Sequence, residues 1–243
     1  MPPETVPLGR QDEAAVQQLQ AYRQAVQSVS WTGMQGQGEY TPNAPNASGA
    51  ATGSEPATLW ISGDHNFRLD IQTATGGTSI RMAGTYGATR HEDGHIRRMD
   101  SRSALKGFFA FPRLLRSGFP AASLTLIDQG VAVVDGARLH RITIGIPWPE
   151  GLSANHSQPP TTVIDLYFDS RTNLLTKSAT VAAGSTSEST RYLRVISYGD
   201  YQTTGGMVLP YLYSERFNGQ LLWTLQLNSV ELHPGLTDSE FTF

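Results

Sequence analysis

From residue 57 onward the chain trades apolar for polar side chains at every second position, in short segments that end on turn dipeptides. Leu59 and Ile61 alternate with Trp60 and Ser62; Phe67, Leu69 and Ile71 alternate with Arg68, Asp70 and Gln72; Ile80 and Met82 alternate with Ser79 and Arg81. A period of two is that of a strand with one buried and one wet face. The same reading extends to 131–134, 139–146, 164–168, 174–181, 191–201, 207–217 and 220–232. Gly76-Gly77, Asp93-Gly94, Asp135-Gly136 and Asn218-Gly219 read as tight turns between them, the last closing the clearest hairpin of the chain. The expectation is an antiparallel meander of about ten or eleven strands.

Three segments depart from this pattern. Residues 1–10 read as a loose tail, and Asp12 as the N-cap of an amphipathic helix of about 16 residues carrying Val16, Leu19, Tyr22, Val26 and Val29 on one stripe. Trp31 to Tyr40 reads as a Gly-rich first strand, after which 42–56 and 147–160 read as loops rich in Pro, Asn, Ser and Gly. Between Ser101 and Phe119, Leu105, Phe108, Phe109, Leu114 and Leu115 take helical spacings interrupted by Pro112, which predicts two short helical pieces. On the last strand, Val230 and Leu232 fall out of phase with Leu221, Trp223, Leu225 and Leu227, so a bulge is expected near Ser229. Pro210 predicts an edge position or a bulge for its own strand. No internal repeat or domain boundary is visible, and residues 1–243 read as a single domain.

The chemistry that the sequence offers is sparse. The chain has no cysteine, which excludes disulfides, thiol nucleophiles and cysteine-ligated metals. Its net charge of −3 gives no reason to expect a nucleic-acid partner. There is no apolar run of about 20 residues, the length needed to cross a bilayer as a helix. The abrupt, polar, Pro-rich start suggests a signal or lipid-bearing segment ahead of it in the native protein. His91 and His95 invite a metal reading. With Asp93-Gly94 as a two-residue loop, however, they point to opposite faces, so no metal site and no cofactor are expected. No G-x-S-x-G elbow or phosphate-cradling loop is present, and an enzyme is not expected. Asn46-Ala-Ser and Asn155-His-Ser match the glycosylation acceptor pattern, read as chance matches in polar loops. The charge pattern is more telling. Residues 81–116 hold eight basic residues against three acidic ones, interleaved with Phe108, Phe109 and Phe111. Such a stretch suits an anionic membrane surface or lipid head group, or an ordinary helix with Arg on its wet side.

The C-terminal half adds a resemblance. Leu166-Tyr167-Phe168-Asp169, Thr172-Asn173-Leu174-Leu175, Tyr198-Gly199-Asp200-Tyr201, Gly205-Gly206-Met207-Val208-Leu209-Pro210 and Asn218-Gly219-Gln220-Leu221, with the ending Val230 to Phe241, resemble the bacterial outer-membrane lipoprotein-sorting (LolA/LolB-like) superfamily. Correspondence covers about residues 160–243, and the upstream order of elements is consistent with it. The resemblance implies a mainly-β α+β fold: an unclosed antiparallel half-barrel with the N-terminal helix and the mid-chain helical insertion over its concave face. It also implies a periplasmic or envelope-associated protein that binds a lipid or an acylated protein. The lining expected from the residues is Trp60, Phe67, Leu69, Ile71, Ile80, Met82, Phe108, Phe109, Leu114 and Leu115, with a basic rim of Arg97, Arg98, Arg102, Arg113 and Arg116. The alternative is a structural or regulatory domain with a filled core, contacting a partner through an aromatic edge around Tyr211, Tyr213 and Trp223.

Overall fold

The computed structural model describes residues 6, 9–27, 32–43, 53–63, 66–83, 86–99, 124–147, 161–183 and 191–243. Among the described residues one α-helix, α1 (Glu13–Ala25), precedes thirteen strands. They are β1 (Gly33–Pro42), β2 (Glu55–Ser62), β3 (Asn66–Thr73), β4 (Gly76–Ala83), β5 (Tyr86–Arg90), β6 (Ile96–Arg98), β7 (Thr125–Val134), β8 (Ala137–Pro147), β9 (Thr161–Asp169), β10 (Leu175–Ala183), β11 (Arg191–Thr204), β12 (Met207–Phe217) and β13 (Gln220–Leu232). All join one sheet in the order β6-β5-β4-β3-β2-β1-β13-β12-β11-β10-β9-β8-β7. Each pairing is antiparallel, and β6 and β7 are the two unjoined edges of an open half-barrel. The strand count exceeds the ten or eleven expected. Short strands such as β5 and β6 carry little apolar alternation to announce them.

The first strand pairs with the last, and this contact brings two meanders together into one sheet. Its register slips between Gln37 and Gly38, opposite Asn228, so the bulge expected near Ser229 is present. A methyl group on Gly38 would stand 2.0 Å from the Gln226 carbonyl oxygen and 2.7 Å from Leu227 Cα. The crossing of β1 over the bulge therefore requires glycine. Asn218 and Gly219 both take positive φ, as do Asp135 and Gly136, forming the tight turns predicted there. The β3–β4 turn falls instead on Ala74-Thr75, because Thr73 pairs with Gly76 and Gln72 with Gly77. Pro210 lies in an interior strand, on a stretch free of β13. The pairing of β12 with β13 runs from Leu212 to Phe217, so the missing N–H breaks no ladder bond there.

That parting of β12 from β13 serves α1. The Val208 N–H donates to the Val26 carbonyl at 3.0 Å, tying the helix end to β12. At the other end, Asp12 N–H donates to Leu126 O and Leu126 N–H to Arg10 O, tying the helix start to β7. Asp12 is the N-cap residue but makes no side-chain cap bond. Its carboxylate accepts from the Arg10 guanidinium and the Asp128 N–H instead. Part of the expected loose tail is thereby fixed: Val6 is buried and Arg10 is bonded to β7. The helix spans 13 residues rather than about 16, and Ala15, Leu19, Tyr22 and Val26 enter the same apolar cluster as residues from both wings of the sheet. Strands also run into both ends of the expected 42–56 loop, since Pro42 pairs with Trp223 and Pro56 with Glu39. The expected helical insertion at 101–119 and most of the 147–160 loop lie outside the described residues.

Tyrosines crowd the face under α1. Tyr22 is fully buried against Phe168, with ring centroids 5.4 Å apart. Tyr198 meets Tyr213 edge-on and bonds Ser178, Tyr201 donates to the Leu175 carbonyl, and Tyr211 bonds Thr204. Burial pushes the hydroxyls of Tyr22, Tyr201 and Tyr213 well above their ordinary range, and neighbouring tyrosines add to the effect. The Tyr22 hydroxyl has no hydrogen-bond partner among the described residues.

Three outcomes are expected. Gly38→Ala loses about 1–3 kcal/mol or more in urea unfolding, because the clash is with backbone. Tyr22→Phe is neutral or gains up to about 1 kcal/mol, since it removes a buried hydroxyl that bonds nothing described, whereas Tyr22→Ala loses about 3–5 kcal/mol by opening a cavity. The third outcome concerns alkali. Unfolded tyrosine releases its proton near pH 10, while the buried hydroxyls hold theirs to higher pH. Stability is therefore intact below about pH 10 and falls as the pH climbs beyond it. Absorbance of tyrosinate should show the buried set ionising only as the circular dichroism of the sheet is lost.

Candidate functional site: the inner face of the half-barrel

Cross-strand partners share a face, so the pairing registers assign each candidate residue to one side of the sheet. Ile61, Phe67 and Met82 form one rung of the inner face, Leu59, Leu69 and Ile80 the next, and Ala57 and Ile71 a third. Five of the expected lining residues, Phe67, Leu69, Ile71, Ile80 and Met82, are thus neighbours on a continuous apolar surface. Ile80 is half-buried and the other four are buried. Trp60 stands on the opposite face. It pairs with Arg68, whose guanidinium lies 4.4 Å above its ring, and Arg68 in turn pairs with Arg81. Phe108, Phe109, Leu114 and Leu115 lie outside the described residues.

The outer face of this wing has its own cover. The segment after β13 turns back, and a single 3-10 turn, Asp238–Phe241, packs on β3 and β4 with Phe241 fully buried. Asn66 donates to Asp238, Arg81 donates to the Thr242 carbonyl, and the Phe243 ring lies 4.2 Å from the Arg81 guanidinium. Beneath this segment, Arg68 forks onto Asp70, which also accepts from Ser79. Trp60 belongs to this wall and not to the inner lining.

Of the expected basic rim, Arg97 and Arg98 are exposed on β6, and they face opposite sides because Arg97 pairs with Thr89 and Arg98 with Ala88. Arg102, Arg113 and Arg116 lie outside the described residues.

A polar rung on the inner face was not anticipated. Glu215 follows Tyr211 and Tyr213 at period two, so an acid is carried onto the apolar side of β12. It is buried, and it accepts from Arg194 Nε at 2.7 Å, from Arg194 Nη2 at 3.1 Å and from Trp223 Nε1 at 3.0 Å. Tyr40 stacks on Trp223 with centroids 5.7 Å apart. Burial first, then the charges of Glu215 and Glu55, push its hydroxyl up to about 12. The signal was present in the sequence: a charged residue at an inward position of an otherwise apolar strand. The same geometry corrects the proposed aromatic edge, since Tyr211, Tyr213 and Trp223 are all buried on the inner face.

The β5–β6 hairpin also differs from expectation. Arg90 pairs with Ile96, so His91 lies opposite His95, bonded through the His91 N–H to the His95 carbonyl at 2.9 Å. The loop has three residues, Glu92-Asp93-Gly94, and the two imidazoles sit on one side with their rings 17° from parallel. A register one residue wider than a two-residue loop gives brings the two rings to the same side. Among the described residues no group of three or more His, Asp or Glu side chains is placed to hold a metal. His140 Nε2 lies 2.6 Å from Asp128 Oδ1, and no hydroxyl is hydrogen-bonded to that imidazole among the described residues.

No family model matches the chain, and no curated protein matches it by sequence. Solved structures do match in shape. An outer-membrane lipoprotein-sorting protein domain from Vibrio parahaemolyticus superposes with a TM-score of 0.59 at 11% identity, covering 94% of this chain and 97% of that one. A LolA superfamily protein from Nitrosomonas europaea gives 0.57 at 13% identity over the same shares of the two chains. A DUF1329 family protein from Desulfovibrio piger gives 0.56 at 10% identity over 95% and 98%. With its unclosed antiparallel sheet and its helix on the inner face, this chain has the LolA-like fold.

Proposed function

We propose that the protein is a non-enzymatic envelope protein that binds a lipid, or the acyl chains of a lipoprotein, against the inner face of its half-barrel. The observation that carries this reading is the continuity of that face. Apolar side chains of β1–β4 and of β8–β13 meet in one cluster around α1, while β6 and β7 leave the sheet unclosed. An alkyl chain inserted there gains about 0.8 kcal/mol per CH₂ removed from water. Phe67, Leu69, Ile71, Ile80 and Met82 are the proposed contacts, joined by Phe108, Phe109, Leu114 and Leu115 from the basic segment. Because the first group is largely buried, a ligand enters by displacing covering side chains rather than by filling an open groove. Arg97 and Arg98, exposed on the free edge, suit an anionic head group or membrane surface. Nothing in the charge of the chain calls for nucleic acid. Among the described residues no helix is long and apolar enough to cross a membrane.

The test is mass spectrometry of protein purified without harsh detergent, followed by titration of the delipidated protein with a fluorescent fatty acid. The expected result is a co-purifying lipid and saturable uptake of the probe. A protein that carries no lipid and takes up no probe after delipidation overturns the proposal.

A further inference from the structure

The tip of the β5–β6 hairpin holds His91 and His95 across from each other, both exposed, with ring centroids 6.5 Å apart. We infer that these two imidazoles form a chelate for a divalent first-row transition-metal ion such as Ni²⁺, Cu²⁺ or Zn²⁺. The backbone beneath them is fixed. Gly94 N–H donates to the His91 carbonyl at 2.9 Å, and His95 N–H donates to Asp93 Oδ1 at 2.9 Å. The loop is also anchored to the neighbouring β3–β4 turn, where Thr73 and Thr75 donate to the two oxygens of Glu92 at 2.6 and 2.5 Å.

Those bonds define the donor set. Glu92 is engaged by two hydroxyls and is not a ligand, and the Asp93 oxygen that bonds His95 N–H is committed to the turn. Two imidazoles remain, a set that suits borderline metals and not Ca²⁺ or Mg²⁺, which need oxygen. Metal–nitrogen bonds of about 2.0–2.1 Å require the rings to come closer than they stand, and rotation of two exposed side chains supplies that approach. With two protein ligands and water completing the shell, the site is exchangeable rather than structural. It is independent of the lipid reading, because the hairpin tip lies at one edge of the sheet.

The experiment is titration of the full chain with Ni²⁺, followed by calorimetry and by the imidazole resonances of the histidines. One ion per chain is expected, with the signals of His91 and His95 moving together. His91→Ala and His95→Ala each weaken binding by at least about tenfold, since each removes the chelate and not merely one of two equal sites. Glu92→Gln keeps the affinity within a few-fold. The assignment is overturned if single variants halve the stoichiometry at unchanged affinity. It is also overturned if Glu92→Gln abolishes binding, or if the shifted resonances belong to His140 or His233.

Discussion

The fold depends on the cover that one helix gives to a curved apolar surface. An antiparallel sheet of thirteen strands with alternating side chains has one greasy face, and an open sheet cannot bury that face against itself completely. α1 lies against it, and backbone bonds hold both of its ends: Leu126 at one end, Val208 at the other. Both attachments use groups that the sheet would otherwise leave unpaired. Leu126 is on the edge strand β7, and Val208 is on the stretch of β12 that has left β13. Between those ends the helix packs with its side chains, where Tyr22 meets Phe168 and Gln18 donates to Asn173.

The local pattern of the sequence was legible wherever it was locally determined. Period two identified most of the strands, Asp135-Gly136 and Asn218-Gly219 identified their turns, and the phase break after Leu227 located the bulge. Failures fell where a choice between near-equal local options was settled by a distant contact. Asp93-Gly94 suits a two-residue loop, but Glu92 is drawn to Thr73 and Thr75, and the loop closes one residue wider. Gly76-Gly77 suits a turn, but Ala74-Thr75 takes it, and Thr75 then stands where it can bond Glu92. The two departures belong to one contact between adjacent hairpins.

Of the candidate site, the rungs of Phe67, Leu69, Ile71, Ile80 and Met82 followed directly from alternation. Trp60 did not belong with them by the same rule, because it alternates with Leu59 and Ile61. Its phase placed it outside, opposite Arg68. The wall it joins is built with residues from the far end of the chain, through Arg81 and Thr242, a proximity with no trace in local periodicity. Glu215 is the opposite case, a polar residue whose phase demanded the inner face and whose partners, Arg194 and Trp223, come from both neighbouring strands. Burying it with both carboxylate oxygens bonded avoids the cost of an unpaired charge.

An unclosed sheet must also keep its two free edges from pairing with other chains. The two edges differ in how this is done. On β7 the first half is bridged by Gln11, and the register then breaks between Asp128 and Val131, with Gly130 at positive φ, so the backbone turns away from a straight template. On β6 the strand is only three residues long and two of them are arginine. Large apolar side chains are exposed there too: Ile96 on β6, and Val131 and Val133 beyond the bulge on β7. The edges are thus protected by backbone irregularity and charge, not by polarity throughout.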